Sequence, residues 1–135
     1  MVVLDTSAWI EFSRDTGSPV ARTVERFVDG PSIELGITEI VLMELLLGAR
    51  NPAGAAKLRS ELIQLTMLRL DPLLAYEEAA AIYRAARRQG ITIRKMTDCL
   101  IAVPVIKAGA SLLHADADFD RIAQVAPLRI EPVVP

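Results

Sequence analysis

The chain has 135 residues, about the length of one domain, and its 52% hydrophobic and 24% charged residues describe a globular rather than a disordered composition. One cysteine, Cys99, excludes an internal disulfide, and one histidine, His114, excludes a zinc site built from Cys and His, so any metal must be held mainly by oxygen. Fifteen Lys and Arg against 17 Asp and Glu give a net charge of −2, which does not advertise a polyanion binder.

No apolar run approaches the ~18–20 residues of a membrane span, and Met1 to Phe12 lacks the basic start of a signal peptide. The expectation is a soluble, cytoplasmic protein with one domain over residues 1–135. Val2-Val3-Leu4 reads as a buried strand ending at Asp5. Ala8 to Arg14 is predicted as a short helix. Pro19 opens another to Val28, stopped by Gly30-Pro31. Ile33 to Ile37 is a second strand, and Thr38 is the N-cap of a helix to Leu47. Pro52 starts a helix to Leu65, and Met67 to Leu70 is a third strand. Asp71-Pro72 reads as an N-cap and first helical residue of a helix to Gln89, with Gly90 as its stop. Thr97 is expected to cap a helix that ends before Gly109. Ser111 to His114 is a fourth strand, Phe119 to Val125 a helix, and Leu128 to Ile130 a last strand. Strands alternating with helices predict an α/β fold with a mainly parallel sheet.

The chemistry lies in carboxylates set in apolar surroundings. Asp5 ends the first strand, where ligands bind in open α/β sheets, or it caps the next helix. Glu44 interrupts Ile40-Val41-Leu42-Met43 and Leu45-Leu46-Leu47, a helix apolar on all sides and so predicted to be buried. Buried charges are paired or bind metal. Asp98 opens the apolar run Cys99-Leu100-Ile101-Ala102-Val103. There it either meets the helix dipole or faces a cleft. Asp116 and Asp118 follow the fourth strand two apart, on one side of an extended chain, or cap the next helix; Asp120 fits that helix's solvated face. Acids gathered at one sheet edge repel unless neutralised. Mg²⁺ or Mn²⁺ favours such oxygen ligands and suits phosphate chemistry.

Without Asp5, Glu44, Asp98, Asp116 and Asp118, 12 acids face 15 bases. Arg84, Arg87, Arg88, Arg94 and Lys95 fall in one acid-free stretch leading into Asp98, the first three on one helix face. Such a basic patch holds nucleic-acid phosphates, or it is a solvated face. No Ser-His-Asp set, nucleophile elbow, Walker loop or dinucleotide loop competes.

The ordered set Val2-Val3-Leu4-Asp5-Thr6-Ser7, Glu44, Thr97-Asp98-Cys99-Leu100-Ile101-Ala102 and Asp116-Ala117-Asp118-Phe119 resembles the PIN-domain nucleases. Length and order are similar to the VapC-type toxins of bacterial toxin–antitoxin modules. The resemblance implies a three-layer α/β/α fold around a sheet of four or five strands. It implies a Mg²⁺-dependent endoribonuclease, with Mn²⁺ as an alternative ion, leaving 5′-phosphate and 3′-hydroxyl ends on transfer or ribosomal RNA. It also implies a cognate VapB-type antitoxin and a homodimer or toxin–antitoxin hetero-oligomer. By motif match, Asp5, Glu44, Asp98 and Asp116 carry over as catalytic acids. Asp5, Asp98, Asp116 and Asp118 carry over around the metal, with Thr6 or Ser7 orienting a water beside it. An antitoxin Arg is expected among these acids, with apolar contact near Trp9, Ile10, Phe12 and Leu45 to Leu47.

Three residues depart from the family pattern. His114 stands where Thr or Ser is frequent, Pro104 falls inside a helix and is expected to kink it, and Cys99 replaces a small or apolar residue. Two other readings are a non-catalytic RNA- or protein-binding module on the same scaffold and a haloacid-dehalogenase-like phosphatase. The second wants an Asp at position 7, which is Ser.

Overall fold

The computed structural model describes residues 1–135. The elements run β1 (Val2–Leu4), α1 (Thr6–Ser13), α2 (Pro19–Asp29), β2 (Leu35–Thr38), α3 (Glu39–Leu47) and α4 (Pro52–Leu62). They continue β3 (Thr66–Leu68), α5 (Leu74–Arg88), α6 (Met96–Lys107), β4 (Ser111–Leu113), α7 (Ala117–Ala123) and β5 (Arg129–Ile130). The five strands form one sheet in the order β3-β2-β1-β4-β5, and every neighbouring pair is parallel.

The strand period of two builds the layers. Val3 and Leu112 point into one apolar cluster, with Ala79, Ile101, Val105 and Phe119 from α5, α6 and α7. Their neighbours Val2, Leu4 and Leu113 point into a second cluster, with Ala8 and Val24 from α1 and α2. Helices therefore cover both faces of the sheet, and the strands read as continuous apolar runs because both faces are buried. No helix is long and apolar enough to cross a membrane.

The chain first builds leftward from β1 to β2 and β3, then returns to place β4 and β5 on the other side of β1. The gap between β1 and β4 is thus a topological switch point, where a crevice opens outside the carboxyl ends of the strands. Asp5 follows β1 there, and the segment His114 to Asp116 follows β4.

Four local expectations need correction. Helix α1 begins at Thr6, not Ala8, because the Asp5 side chain caps it by accepting the Ser7 N–H. Asp71 does not cap α5: Leu73 at φ 64° precedes the helix without a side-chain cap, and the Asp71 carboxylate takes the Lys107 ammonium at 2.9 Å instead. Thr97 is not a cap either, since α6 already starts at Met96. Helix α3 is not a buried helix: only Val41 is fully buried, and Met43 and Leu47 stand exposed. The sheet covers one side of α3, and this chain leaves part of its other apolar side uncovered. Pro104 sits buried within α6, which continues through it to Lys107.

Candidate active site

Three elements deliver acids to the crevice. Asp5 is fixed by being both the end of β1 and the cap of α1. Its Oδ2 accepts the Ser7 N–H at 2.9 Å and the Ser7 hydroxyl at 2.6 Å. The same hydroxyl accepts the Ala115 N–H at 2.9 Å, so Ser7 ties the end of β1 to the loop after β4. Asp98 lies in the first turn of α6, where the helix dipole favours an anion. Asp116 is the N-cap of α7, accepting the Asp118 N–H at 3.0 Å.

Oxygens of Asp98, Asp116 and Asp118 lie within 4.8 Å of one another. Asp98 is 2% exposed, and its Oδ2 is buried without any hydrogen-bond partner. Such groups are rare and mark a missing ligand or a functional role. Burial pushes the Asp98 carboxyl up to about 7. Lys95 opposes this, while Asp5, Asp116 and Asp118 reinforce it. Burial likewise raises Asp5 against the opposing Ser7 hydrogen bonds. Burial also acts to raise Asp116, but the Asp118 N–H, Lys95 and Arg94 outweigh it and hold Asp116 below its ordinary value.

Glu44 approaches from α3. It is half-buried, and the Thr6 hydroxyl donates to its Oε1 at 2.9 Å. Thr6 and Ser7 therefore each hold one acid, Glu44 and Asp5 respectively.

Asp118 differs from Asp98 because it is already paired. It is fully buried, and Oδ1 takes the Arg121 guanidinium at 2.6 Å. Oδ2 takes the Arg94 backbone N–H at 3.0 Å and the Arg94 Nε at 3.4 Å. Sequence reading missed Arg121, although its i,i+3 spacing from Asp118 on α7 signals the pair.

Arg94 and Lys95 separate from the other basic residues. The segment before α6 passes the mouth of the crevice, so Arg94 reaches Asp116 at 3.0 Å and Lys95 Nζ reaches it at 3.5 Å. Burial acts to lower the Lys95 amine, but Asp98, Asp116 and Glu44 outweigh it and hold it above its ordinary value. These two cations meet the acids, rather than forming one surface with Arg84, Arg87 and Arg88. Those three stay exposed on α5, with Arg87 over the Tyr83 ring at 5.9 Å. Helix α5 packs against α6, and Arg84 lines a shared groove with Met96 and Leu100.

Comparison with known proteins agrees with this architecture. A PIN-domain family model matches residues 2–125. Ribonuclease VapC11 of Mycobacterium tuberculosis is 41% identical over 129 residues, covering 96% of both chains. A VapBC2 structure from Rickettsia felis, bound to a promoter DNA fragment, superposes with a TM-score of 0.71 at 19% identity. It covers 97% of this chain and 98% of that one. A toxin–antitoxin complex from Klebsiella pneumoniae gives a TM-score of 0.67 at 19% identity, over 96% of this chain and 100% of that one. With its parallel sheet, its acids at the β1–β4 crevice and these matches, the chain belongs to the PIN-domain family, among the VapC ribonucleases.

Proposed function

We propose that this protein is a divalent-metal-dependent endoribonuclease, the toxin of a toxin–antitoxin module. The observation that carries the reading is the unpartnered, buried Oδ2 of Asp98 beside Asp116 and Asp118, with Asp5 and Glu44 outside that group of three. An all-oxygen, acidic donor set fits Mg²⁺ or Mn²⁺ and does not suit a softer metal. Asp5, Asp98 and Asp116 would hold the ion. Asp118 belongs to the same group of oxygens, and its contacts with Arg121 and Arg94 also fix Arg94 and the start of α7. A cation bound there supplies Lewis acidity toward a phosphoryl oxygen and lowers the pKa of a nearby water.

The chain's own residues do the rest. Ser7 orients Asp5, and Thr6 holds Glu44, which in this reading accepts a proton from an attacking water. Lys95 and Arg94, at the crevice mouth, offer positive charge to a phosphate backbone. Arg84, Arg87 and Arg88 offer a separate set of exposed charges on α5. The substrate class the resemblance implies is transfer or ribosomal RNA, and an RNA substrate puts the protein's action in the cytoplasm. Residues 1–135 act as one domain in this reading.

A groove of about 500 Å³ runs beside Glu44, lined by Trp9, Ile10, Phe12 and Leu45. It fits an amphipathic antitoxin segment of the VapB type, with an Arg reaching the acids through a two-pronged carboxylate contact. The exposed Met43, Leu47, Tyr76 and Met96 are surface that a homodimer or hetero-oligomer would cover.

The test is to incubate purified protein with total cellular RNA, with Mg²⁺ or with EDTA, and map the new 5′ ends. Discrete 5′-phosphate ends that appear only with metal support the reading. A protein that binds RNA without cutting it, or that cleaves small phosphate esters instead, overturns it.

Two substitutions separate the roles. Glu44→Gln is expected to reduce cleavage at least ~100-fold, as loss of general-base assistance does. It should leave the melting temperature nearly unchanged, since Glu44 has a hydroxyl partner and no ion pair. A large drop in melting temperature would make Glu44 a structural acid. Replacing Arg87 and Arg88 together by Ala is expected to weaken RNA binding and reduce its salt slope by about 0.7 per lost phosphate contact on single strands. Mn²⁺ affinity should not change. Unaltered RNA affinity and slope would make that helix face a solvated surface.

A further inference from the structure

His114 is the only histidine in the chain, and it follows β4 directly. Its side chain is 7% exposed. Nδ1 accepts the backbone N–H of Asp116 at 3.0 Å. Nε2 lies 3.1 Å from Oδ1 of Asp120, and the ring rests 5.3 Å from that of the fully buried Phe119. The imidazole is therefore clamped between the core and two acids. Because Nδ1 accepts, the ring proton belongs on Nε2, which donates to Asp120.

This accounts for two backbone donors of the loop between β4 and α7, those of Ala115 and Asp116. The Ala115 N–H goes to Ser7, which holds Asp5, and the Asp116 N–H goes to His114. One donor thus links the loop to Asp5, and the other anchors it to Phe119 and Asp120. The Asp116 backbone, from which the carboxylate projects, cannot shift relative to Asp5 and Phe119 without breaking one of these bonds. A hydroxyl at position 114, frequent in the family, would be a different device, since it can donate into the site. The imidazole instead secures the chain that carries the acid.

We propose that His114 is a positioning residue for Asp116, acting through Nδ1 on its backbone and so setting how well Asp116 joins Asp98 in holding a divalent cation. The proposal rests on the reading of these acids as a metal site. Outer partners of metal-holding acids tune affinity even though they never touch the ion.

Two substitutions dissect the two ring nitrogens. His114→Asn places an amide oxygen where Nδ1 stands and keeps an acceptor for the Asp116 N–H. His114→Gln places its amide nitrogen near Nε2, keeps the Asp120 contact and loses the Asp116 one. Both remove the ring from Phe119, so a purely structural role would affect them alike. Mn²⁺ affinity is read from the electron paramagnetic resonance of free Mn²⁺, and Asp116 amide protection from hydrogen exchange in the metal-free protein. His114→Asn is expected within ~3-fold of wild type in Mn²⁺ affinity, with the amide protected. His114→Gln is expected to bind Mn²⁺ ~10–100-fold more weakly, with the amide exposed to exchange.

Equal losses in the two variants, or a greater loss in His114→Asn, would overturn the proposal. Wild-type protein with ¹⁵N-labelled histidine supplies a check that needs no variant: the proton must sit on Nε2, and a proton on Nδ1 instead refutes the assignment. If wild-type protein binds no Mn²⁺, the metal reading fails on its own. Asp116 amide protection then still decides whether His114 holds the loop.

Discussion

Asp98→Asn is expected to reduce RNA cleavage by ~10²–10³-fold, as loss of a group that orders the reacting charges does, while making the metal-free protein more stable at neutral and higher pH. The sign follows from burial. Asp98 is 2% exposed, its Oδ2 has no partner, and its carboxyl titrates at about 7 against an ordinary value of 3.8. Between those values the folded chain keeps a proton that the unfolded chain releases, so the metal-free protein loses stability as pH rises through that window. The separation is worth up to about 4 kcal/mol above pH ~7 and nothing below pH ~4. Asn carries no charge and escapes this penalty. Thermal melts of both proteins in EDTA should therefore coincide near pH ~4 and separate near pH ~8, with Asp98→Asn the more stable. Mn²⁺ should restore wild-type stability and leave the variant unaffected. A variant less stable than wild type in EDTA at pH ~8 would mean that Asp98 is a structural anion.

Asp118→Ala is expected to do the opposite and destabilise the fold by about 3 kcal/mol, at the lower end for breaking a buried pair. Asp118 is fully buried, and its two oxygens hold both Arg121 and the backbone and side chain of Arg94. Both guanidiniums are partly exposed, with side chains 65% and 41% accessible, and regain water when the acid is lost, which keeps the cost from being larger. The Arg94 N–H loses its acceptor and a gap opens under α7. A chemical denaturation series with unchanged slope would measure the difference. A change under about 0.5 kcal/mol, the ordinary value for an unimportant surface site, would remove Asp118 from the framework. Two acids of one cluster thus carry opposite expected signs, and the difference lies in which one already has cations.

The strands were legible because each is a short β-rich run buried on both faces, and the parallel sheet followed from their alternation with helices. Asp5, Asp98 and Asp116 were legible as acids at element boundaries next to apolar sequence. What the sequence hides is which partner each acid has. Arg94 and Lys95 belong by spacing to the basic run before α6, yet tertiary placement of that segment at the crevice turns them toward Asp116. Arg121 reads as a surface residue of α7 until Asp118 is seen to be buried. Helix α3 shows the limit of composition: an all-round apolar helix signals burial, but not whether this chain or a partner supplies it. Leu73 at positive φ explains the misplaced start of α5, because Asp71-Pro72 carries a capping signature while its carboxylate is drawn away to Lys107. The role of His114 depends on a backbone donor two residues on, which no pattern of side chains reveals.

The central claim is that Asp98 and its neighbouring acids hold the divalent ion on which RNA cleavage depends. Titration of Mn²⁺ into metal-stripped protein, with bound ion and cleavage rate followed on the same samples, tests it most directly. The account predicts that binding and cleavage rise together in the wild type, and that Asp98→Asn loses both at every concentration at which the wild type is saturated. Cleavage at full rate in EDTA, or an Asp98→Asn protein that binds Mn²⁺ as tightly as the wild type, would contradict it.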